Sequence, residues 1–187
     1  ARAARLLTLC GIAHDLQPVE AEPNACRIAN PELLSGDRLH LEAFEFVATL
    51  DKGLMQTSAW LADRALPAAG GDYFRTKLRD DLVVLSDEDF GWFVNNACAV
   101  EPHVRIDDAT GTADDGGLFY TENLPPESLL VAPLLASQTR TGRKDDHLPA
   151  ETVMTRISEV INGKLLQIGG DATTGRGLVV AKVVEGK

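Results

Sequence analysis

The chain has 187 residues, 44% of them hydrophobic and 25% charged, which is enough to bury one ordinary core and too short for two full domains. Those fractions exclude wholesale disorder and a fibrous fold, and no apolar run approaches the roughly 20 residues a membrane-spanning helix needs. A formal net charge of −10 excludes a broadly basic nucleic-acid surface, so any phosphate-binding footprint must be local.

The first residues mix an apolar run, Leu6 to Ile12, with a polar stretch containing Pro18, Pro23 and Pro31, which predicts a short strand or helix followed by a loop. Ala1 stands where Met would be expected, without the long apolar stretch or cleavage site of a secretory leader, so a fragment or processed chain is expected. Leu39 to Leu50 reads as a strand, with Phe44, Phe46, Ala48 and Leu50 on one parity and Glu45, Val47, Thr49 and Asp51 on the other. Leu54, Leu61, Ala62 and Ala65 recur at helical intervals, and Pro67 with Gly70-Gly71 ends that helix. Leu82 to Leu85 is a short buried strand. It runs into Ser86-Asp-Glu-Asp89, an N-cap hydroxyl followed by first-turn carboxylates, and Phe90, Phe93, Val94 and Ala97 on one helical face are expected in the core.

From Cys98 the period changes to two, with Cys98, Val100, Pro102, Val104 and Ile106 opposite Glu101, His103, Arg105 and Asp107. Asp107 to Gly117 is a polar tip and Leu118 to Leu124 returns as a second strand, so the pair predicts a projecting hairpin. Leu129 to Leu135 is expected to be a further strand, and Thr139 to Lys144 lies in a basic, flexible loop. Pro149, apolar Val153, Ile157, Val160 and Ile161, and the Asn162-Gly163 stop define a last helix. The chain closes on a glycine-rich loop and a strand from Leu178 to Val184.

That loop, Gly169-Gly-Asp-Ala-Thr-Thr-Gly-Arg-Gly177, is suited to approaching phosphate closely, since Gly169, Gly170, Gly175 and Gly177 turn tightly and can present bare amides. It is not a P-loop, because Gly177 follows Arg176 where a Lys and then Ser or Thr would be required. It is not a dinucleotide fingerprint either, because a strand follows it and not a helix. A plain tight hairpin accounts for the glycines equally well.

Charge is uneven along the chain. Residues 72–130 hold four basic residues against thirteen acidic ones, whereas residues 138–187 hold eight against six. Most of the acidic middle reads as a solvated face. Cys10, Cys26 and Cys98 lack metal-ligand spacing, and His14, His40, His103 and His147 are scattered, so no metal site and no catalytic constellation is predicted. Three cysteines without a pairing pattern point to a reducing, cytoplasmic setting.

The order of elements predicts an α+β fold: a modified ferredoxin-like, or RRM-like, antiparallel sheet backed by helices, with a projecting β-hairpin. Leu82 to Val94, Val104 to Thr112, Gly117 to Pro126 and Leu166 to Gly177, in that order, resemble the C-terminal part of RAMP-superfamily proteins. Within the superfamily they are most similar to the repeated backbone subunit of the type III-B (Cmr) CRISPR RNA-guided complex. The resemblance covers a palm domain from residue 39 to 187 with the hairpin, its thumb, inserted at about 98–126, and it leaves residues 1–38 as a poorly matched segment.

The resemblance implies a subunit in antiviral defence that polymerises along CRISPR RNA and meets target RNA, copies of itself and other effector subunits, with no membrane. Family members cut target RNA with an aspartate and a divalent metal in an N-terminal loop. That region is not recognised here, Asp15 is not assigned its role, and this chain is expected to carry neither catalytic residue nor metal ligand nor cofactor. The implied RNA contacts are Arg105, Thr110 and Thr112 on the hairpin, with Gly169, Gly170, Thr173, Thr174, Gly175, Arg176 and Gly177 on the loop. Two other readings stand beside this one: an enzyme holding a phosphorylated small molecule on the glycine loop, and a protein-only scaffold module using the acidic middle around Asp114 and Asp115.

Overall fold

A computed structural model describes residues 2–12, 14, 16–66, 71–140 and 147–185. After helix α1 (Arg2–Leu9), a four-stranded sheet is built from β1 (Ala25–Ile28), β2 (Arg38–Leu41), β3 (Phe44–Leu50) and β4 (Val83–Leu85) in the order β2-β3-β1-β4. The central pair β1 and β3 is parallel, and β2 and β4 flank it antiparallel. This is the ferredoxin-like strand order expected. The modification lies in the crossovers: a single 3-10 turn, Pro31–Leu33, joins β1 to β2, whereas two helices, α2 (Lys52–Arg64) and α3 (Gly71–Asp80), join β3 to β4.

Where one strand was expected from Leu39 to Leu50 there are two, turning at Glu42, whose φ of 53° is left-handed. The parity holds in the middle of the strand, where Phe46 is buried and Val47 is half exposed, whereas Leu50 at its end is 51% exposed. The central strand β1 lies upstream of residue 39, and its Ala-Cys-Arg-Ile is too short to show a period in sequence. Cys26, Ile28, Leu39 and Phe46 form the buried core, with Leu33, Leu34, Leu41, Ala48, Val83, Leu85 and Phe93 packed at its margin.

Asp51 caps α2, its carboxylate accepting from the Leu54 amide at 3.0 Å, and Leu54, Ser58 and Ala62 are buried at four-residue spacing. Pro67 and Gly70, expected to end this helix, lie outside the described residues. Helix α3, which packs against α2, is not expected from the sequence because Gly-Asp-Tyr-Phe-Arg-Thr-Lys-Leu-Arg-Asp has no continuous apolar stripe.

Ser86 caps α4 (Asp87–Asn96) as expected: its hydroxyl accepts from the Asp89 amide at 3.0 Å and donates to the Asp89 carboxylate, which also receives the Asn24 amide. This joins the start of α4 to the entry of β1. Ser86→Ala is expected to cost about 1 kcal/mol, read as a lower urea midpoint at constant slope. An unchanged midpoint would refute the cap.

The α4 face corrects the sequence expectation. Only Phe93 reaches the core, edge-on to Phe44 and tilted against Phe46, while Phe90 and Val94 are 59% and 47% exposed. The helix meets the sheet along one narrow line and not over its full apolar face.

The hairpin pairs β5 (Ala99–Ile106) with β6 (Ala113–Asn123) as its own two-stranded sheet. The apolar residues Leu129 to Leu135 form no strand and are exposed. The expected flexible loop falls largely on residues 141–146, outside those described. Helix α5 (Ala150–Ile161) ends at Gly163, whose φ is 69°, and a second hairpin pairs β7 (Leu165–Gln167) with β8 (Leu178–Val180). The last strand therefore stops at Val180, short of the expected Val184.

Candidate functional site

Asp107 builds the hairpin tip. Its carboxylate accepts from the Ala109 and Thr110 amides, both at 2.8 Å, and Gly111 turns the chain at φ 66°. The Thr110 and Thr112 hydroxyls bond to each other at 2.8 Å, so the two expected hydroxyl contacts form one exposed unit. The tip spans Asp107 to Thr112 and not Asp107 to Gly117, because pairing resumes at Ala113.

Val104 faces Leu118 and Ile106 faces Ala113, so Asp114, Asp115, Gly116 and Gly117 bulge opposite Arg105 alone. Gly117 is required there: a Cβ would sit 2.9 Å from the Asp114 carbonyl oxygen and 3.1 Å from the Arg105 Cβ. Arg105, its side chain 72% exposed, reaches Asp114 at 3.6 Å. Salt and solvent screen such a pair, which leaves the guanidinium open to a stronger anion.

The amides of Ala109 and Thr110 hold the Asp107 carboxyl below its ordinary value of 3.8. A depressed carboxyl pKa keeps these bonds intact above the ordinary range and loses them as pH falls through the lower value. The Ala109 and Thr110 amide shifts are therefore expected to titrate together below pH 3.8, the ordinary carboxyl value, and a midpoint above it would refute the turn.

In the glycine-rich loop, Gly169 (φ 97°), Asp171 (φ 56°), Gly175 (φ 79°) and Gly177 (φ 70°) are left-handed. The loop partly satisfies itself: the Asp171 carbonyl accepts from the Thr174 and Arg176 amides and the Thr174 hydroxyl, and the Ala172 carbonyl accepts from Gly175. Thr173, Thr174 and Gly175 are thus exposed parts of a closed turn. Among the amides with no recorded acceptor in the described residues are those of Gly169, Gly170 and Asp171, three in a row. Consecutive free amides around a left-handed residue form a concavity that suits an anion.

Arg176 pairs with both carboxylate oxygens of Glu101 on β5, tying the loop to the middle of the hairpin. In the sequence Glu101 falls on the polar parity with no sign of a role, because a contact spanning 75 positions leaves no local signal. His103 lies beside it, stacked on Phe119 at 5.3 Å and bonded to the Thr121 hydroxyl at 2.9 Å. The structure thus brings Arg176 and the loop onto β5. Thr110 and Thr112 stand at the far end of that strand, six or more residues away, on the order of 20 Å.

The hairpin faces are the reverse of a covered sheet. Glu101 and His103 are half-buried, whereas Val100, Val104, Leu118 and Tyr120 on the apolar side are 46% to 64% exposed. No group of three or more His, Cys, Asp or Glu side chains among the described residues lies close enough to hold a metal ion. The donor set a divalent ion needs is not assembled by them, so no step through such an ion is derived. Asp15 lies outside the described residues. Cys10, Cys26 and Cys98 are free thiols, and burial pushes the Cys26 thiol up. None of the described helices is long and apolar enough to cross a membrane.

A model of the RAMP superfamily matches residues 14–180. The CRISPR system Cmr endoribonuclease Cmr4 of Pyrococcus furiosus is 29% identical over 185 residues, which span 98% of this chain and 59% of that protein. The crystal structure of oligomeric Cmr4 from Pyrococcus furiosus has a TM-score of 0.60 at 23% identity, over 100% of this chain and 62% of that one. A structure of Pyrococcus furiosus Cmr4 (Cas7) follows at 0.56 and 22%, over 98% and 62%. At these identities the structural likeness is one of fold, and the chain spans less than two thirds of each of these relatives.

Proposed function

The chain belongs to the RAMP superfamily, and from that membership we propose that it is an RNA-binding backbone subunit of a type III-B (Cmr) CRISPR effector complex. It grips the phosphate backbone of a guide RNA, meets target RNA paired to that guide, and assembles with copies of itself and other effector subunits in the reducing cytoplasm. The observation that carries the reading is the glycine-rich loop, with free amides at Gly169, Gly170 and Asp171, docked by Arg176 onto the projecting hairpin.

An acidic chain can bind a polyanion in this way because main-chain amides and a few guanidiniums hold phosphates without a broadly basic surface. Sequence reading is left to the bases of the guide. Arg105 with the Thr110 and Thr112 hydroxyls forms the outer contact, and Arg176 with Gly169, Gly170, Thr173, Thr174, Gly175 and Gly177 the inner one. The family match and the Cmr4 relative support this reading over a small-molecule enzyme or a protein-only module. No cleavage step is assigned to this chain.

Glu101 competes with phosphate for Arg176, which sets the sign of the test. Arg176→Ala is expected to weaken binding of a labelled oligoribonucleotide and to reduce the dependence of log K on log salt by about 0.7. Glu101→Gln, which frees the guanidinium, is expected to tighten binding. If the chain binds no RNA at low salt, or if Arg176→Ala leaves both affinity and salt dependence intact, the reading fails.

A further inference from the structure

Lys182, two residues beyond β8, donates from Nζ to the carbonyl oxygens of Asp63 at 3.0 Å and Leu66 at 2.9 Å. These carbonyls lie in the last turn of α2 and just beyond it, so the ammonium acts as a long-range cap. Two guanidiniums stand close enough to repel it, and a third joins them through Asp63. Arg64 is the last residue of α2, and Arg75 and Arg79 stand four apart on one face of α3, which packs against α2. Arg79 reaches the Asp63 carboxylate at 3.6 Å.

The Lys182 ammonium titrates below the ordinary lysine range, first because it is partly buried and then because Arg75 and Arg64 repel its charge, with Asp63 opposing. Arg64 and Arg75 bond to no carboxylate among the described residues. Arg79 thus contacts the Asp63 carboxylate and Lys182 its main-chain carbonyl, while Arg64 and Arg75 add positive charge nearby, in a chain whose net charge is −10. Such a cluster is a local positive potential that a bound anion relieves.

We infer that the Arg64, Arg75, Arg79 and Lys182 cluster is a second phosphate-binding locus, taken by an internucleotide phosphate of the same RNA strand that the glycine-rich loop holds. The inference rests on the RNA-binding reading above. Lys182 follows Arg176 by six residues across β8, a reach of at most about 20 Å, so one strand can touch both. Arginine suits this role, since its planar fork matches phosphate and stays charged.

The test uses the whole chain, a fluorescein-labelled oligouridylate and a salt series. Lys182 is left in place because it caps α2. Arg64→Ala with Arg75→Ala is expected to weaken binding about tenfold and to reduce the salt dependence by about 1.4, twice the effect of Arg176→Ala. Because Arg75 is half-buried, Arg64→Glu at an exposed position repeats the test without disturbing packing, and a similar loss is expected.

Wild-type affinity and salt dependence in both variants, while Arg176→Ala still weakens binding, would overturn this locus alone. No binding by the wild type would overturn it together with the reading it rests on. Inorganic phosphate at matched ionic strength separates the sources: stabilisation that the double variant abolishes, with RNA binding unmoved, would make this a site for free phosphate and overturn the inference. Loss of self-association with RNA binding unmoved would assign the cluster to the acidic surface of another copy, and would overturn it as well.

Discussion

Gly177→Ala is expected to unpair β7 from β8 and to lower RNA affinity at least tenfold, because this position is closed to a side chain twice over. Its φ of 70° is left-handed, which costs a non-glycine residue about 1–2 kcal/mol. A Cβ would also fall inside van der Waals contact of the Ile168 carbonyl oxygen and 2.6 Å from the Gln167 Nε2. The backbone must therefore move at the point where the Gly177 carbonyl accepts the Ile168 amide at 2.8 Å. Arg176, the neighbouring residue, then leaves Glu101, and the bare amides of Gly169 and Gly170 lose their placement.

The measurement is hydrogen exchange at the Ile168 amide beside oligoribonucleotide affinity. Gly91→Ala is the control, since a Cβ there meets nothing within 4 Å, its φ is not left-handed, and it lies in α4 and takes no part in the RNA contacts. Full Ile168 protection with wild-type affinity in Gly177→Ala would sink the argument.

Phe46→Ala is expected to cost about 3–5 kcal/mol, a large part of the stability of a domain this size. Phe46 is 3% exposed, lies on β3 in the central parallel pair, and packs with Cys26, Ile28 and Leu39 while Phe93 tilts against its ring. Removing the ring leaves a cavity between the sheet and α4 that neighbours on three strands cannot fill. Phe90→Ala removes the same ring from a 59% exposed site and is expected to change stability by no more than about 0.5 kcal/mol. Urea denaturation of the two variants checks both, and equal midpoints would show that the core lies elsewhere.

The contrast between these two phenylalanines separates what is legible in sequence from what is not. Residues close in the chain determine local structure, so Ser86 announced α4, Pro149 and Asn162-Gly163 bounded α5, and the period of two from Cys98 announced the hairpin. The ordered segments that resemble the RAMP superfamily were legible for the same reason, and residues 14–180 match that family. Helix α3 escaped because a largely solvated helix carries no apolar stripe. Leu129 to Leu135 misled because an apolar run becomes a strand only where another strand offers it a ladder, and none does among the described residues.

By itself, then, the sequence determined the caps, turns and periods, and through their order the α+β class, the thumb-like hairpin and the glycine-rich loop. Only the tertiary structure decided which apolar faces are covered, that β1 occupies the centre of the sheet, and that Arg176 meets Glu101 and Lys182 meets the end of α2. Those contacts join residues 75 and 116 or more positions apart, and their energy depends on positions in space that no local period encodes.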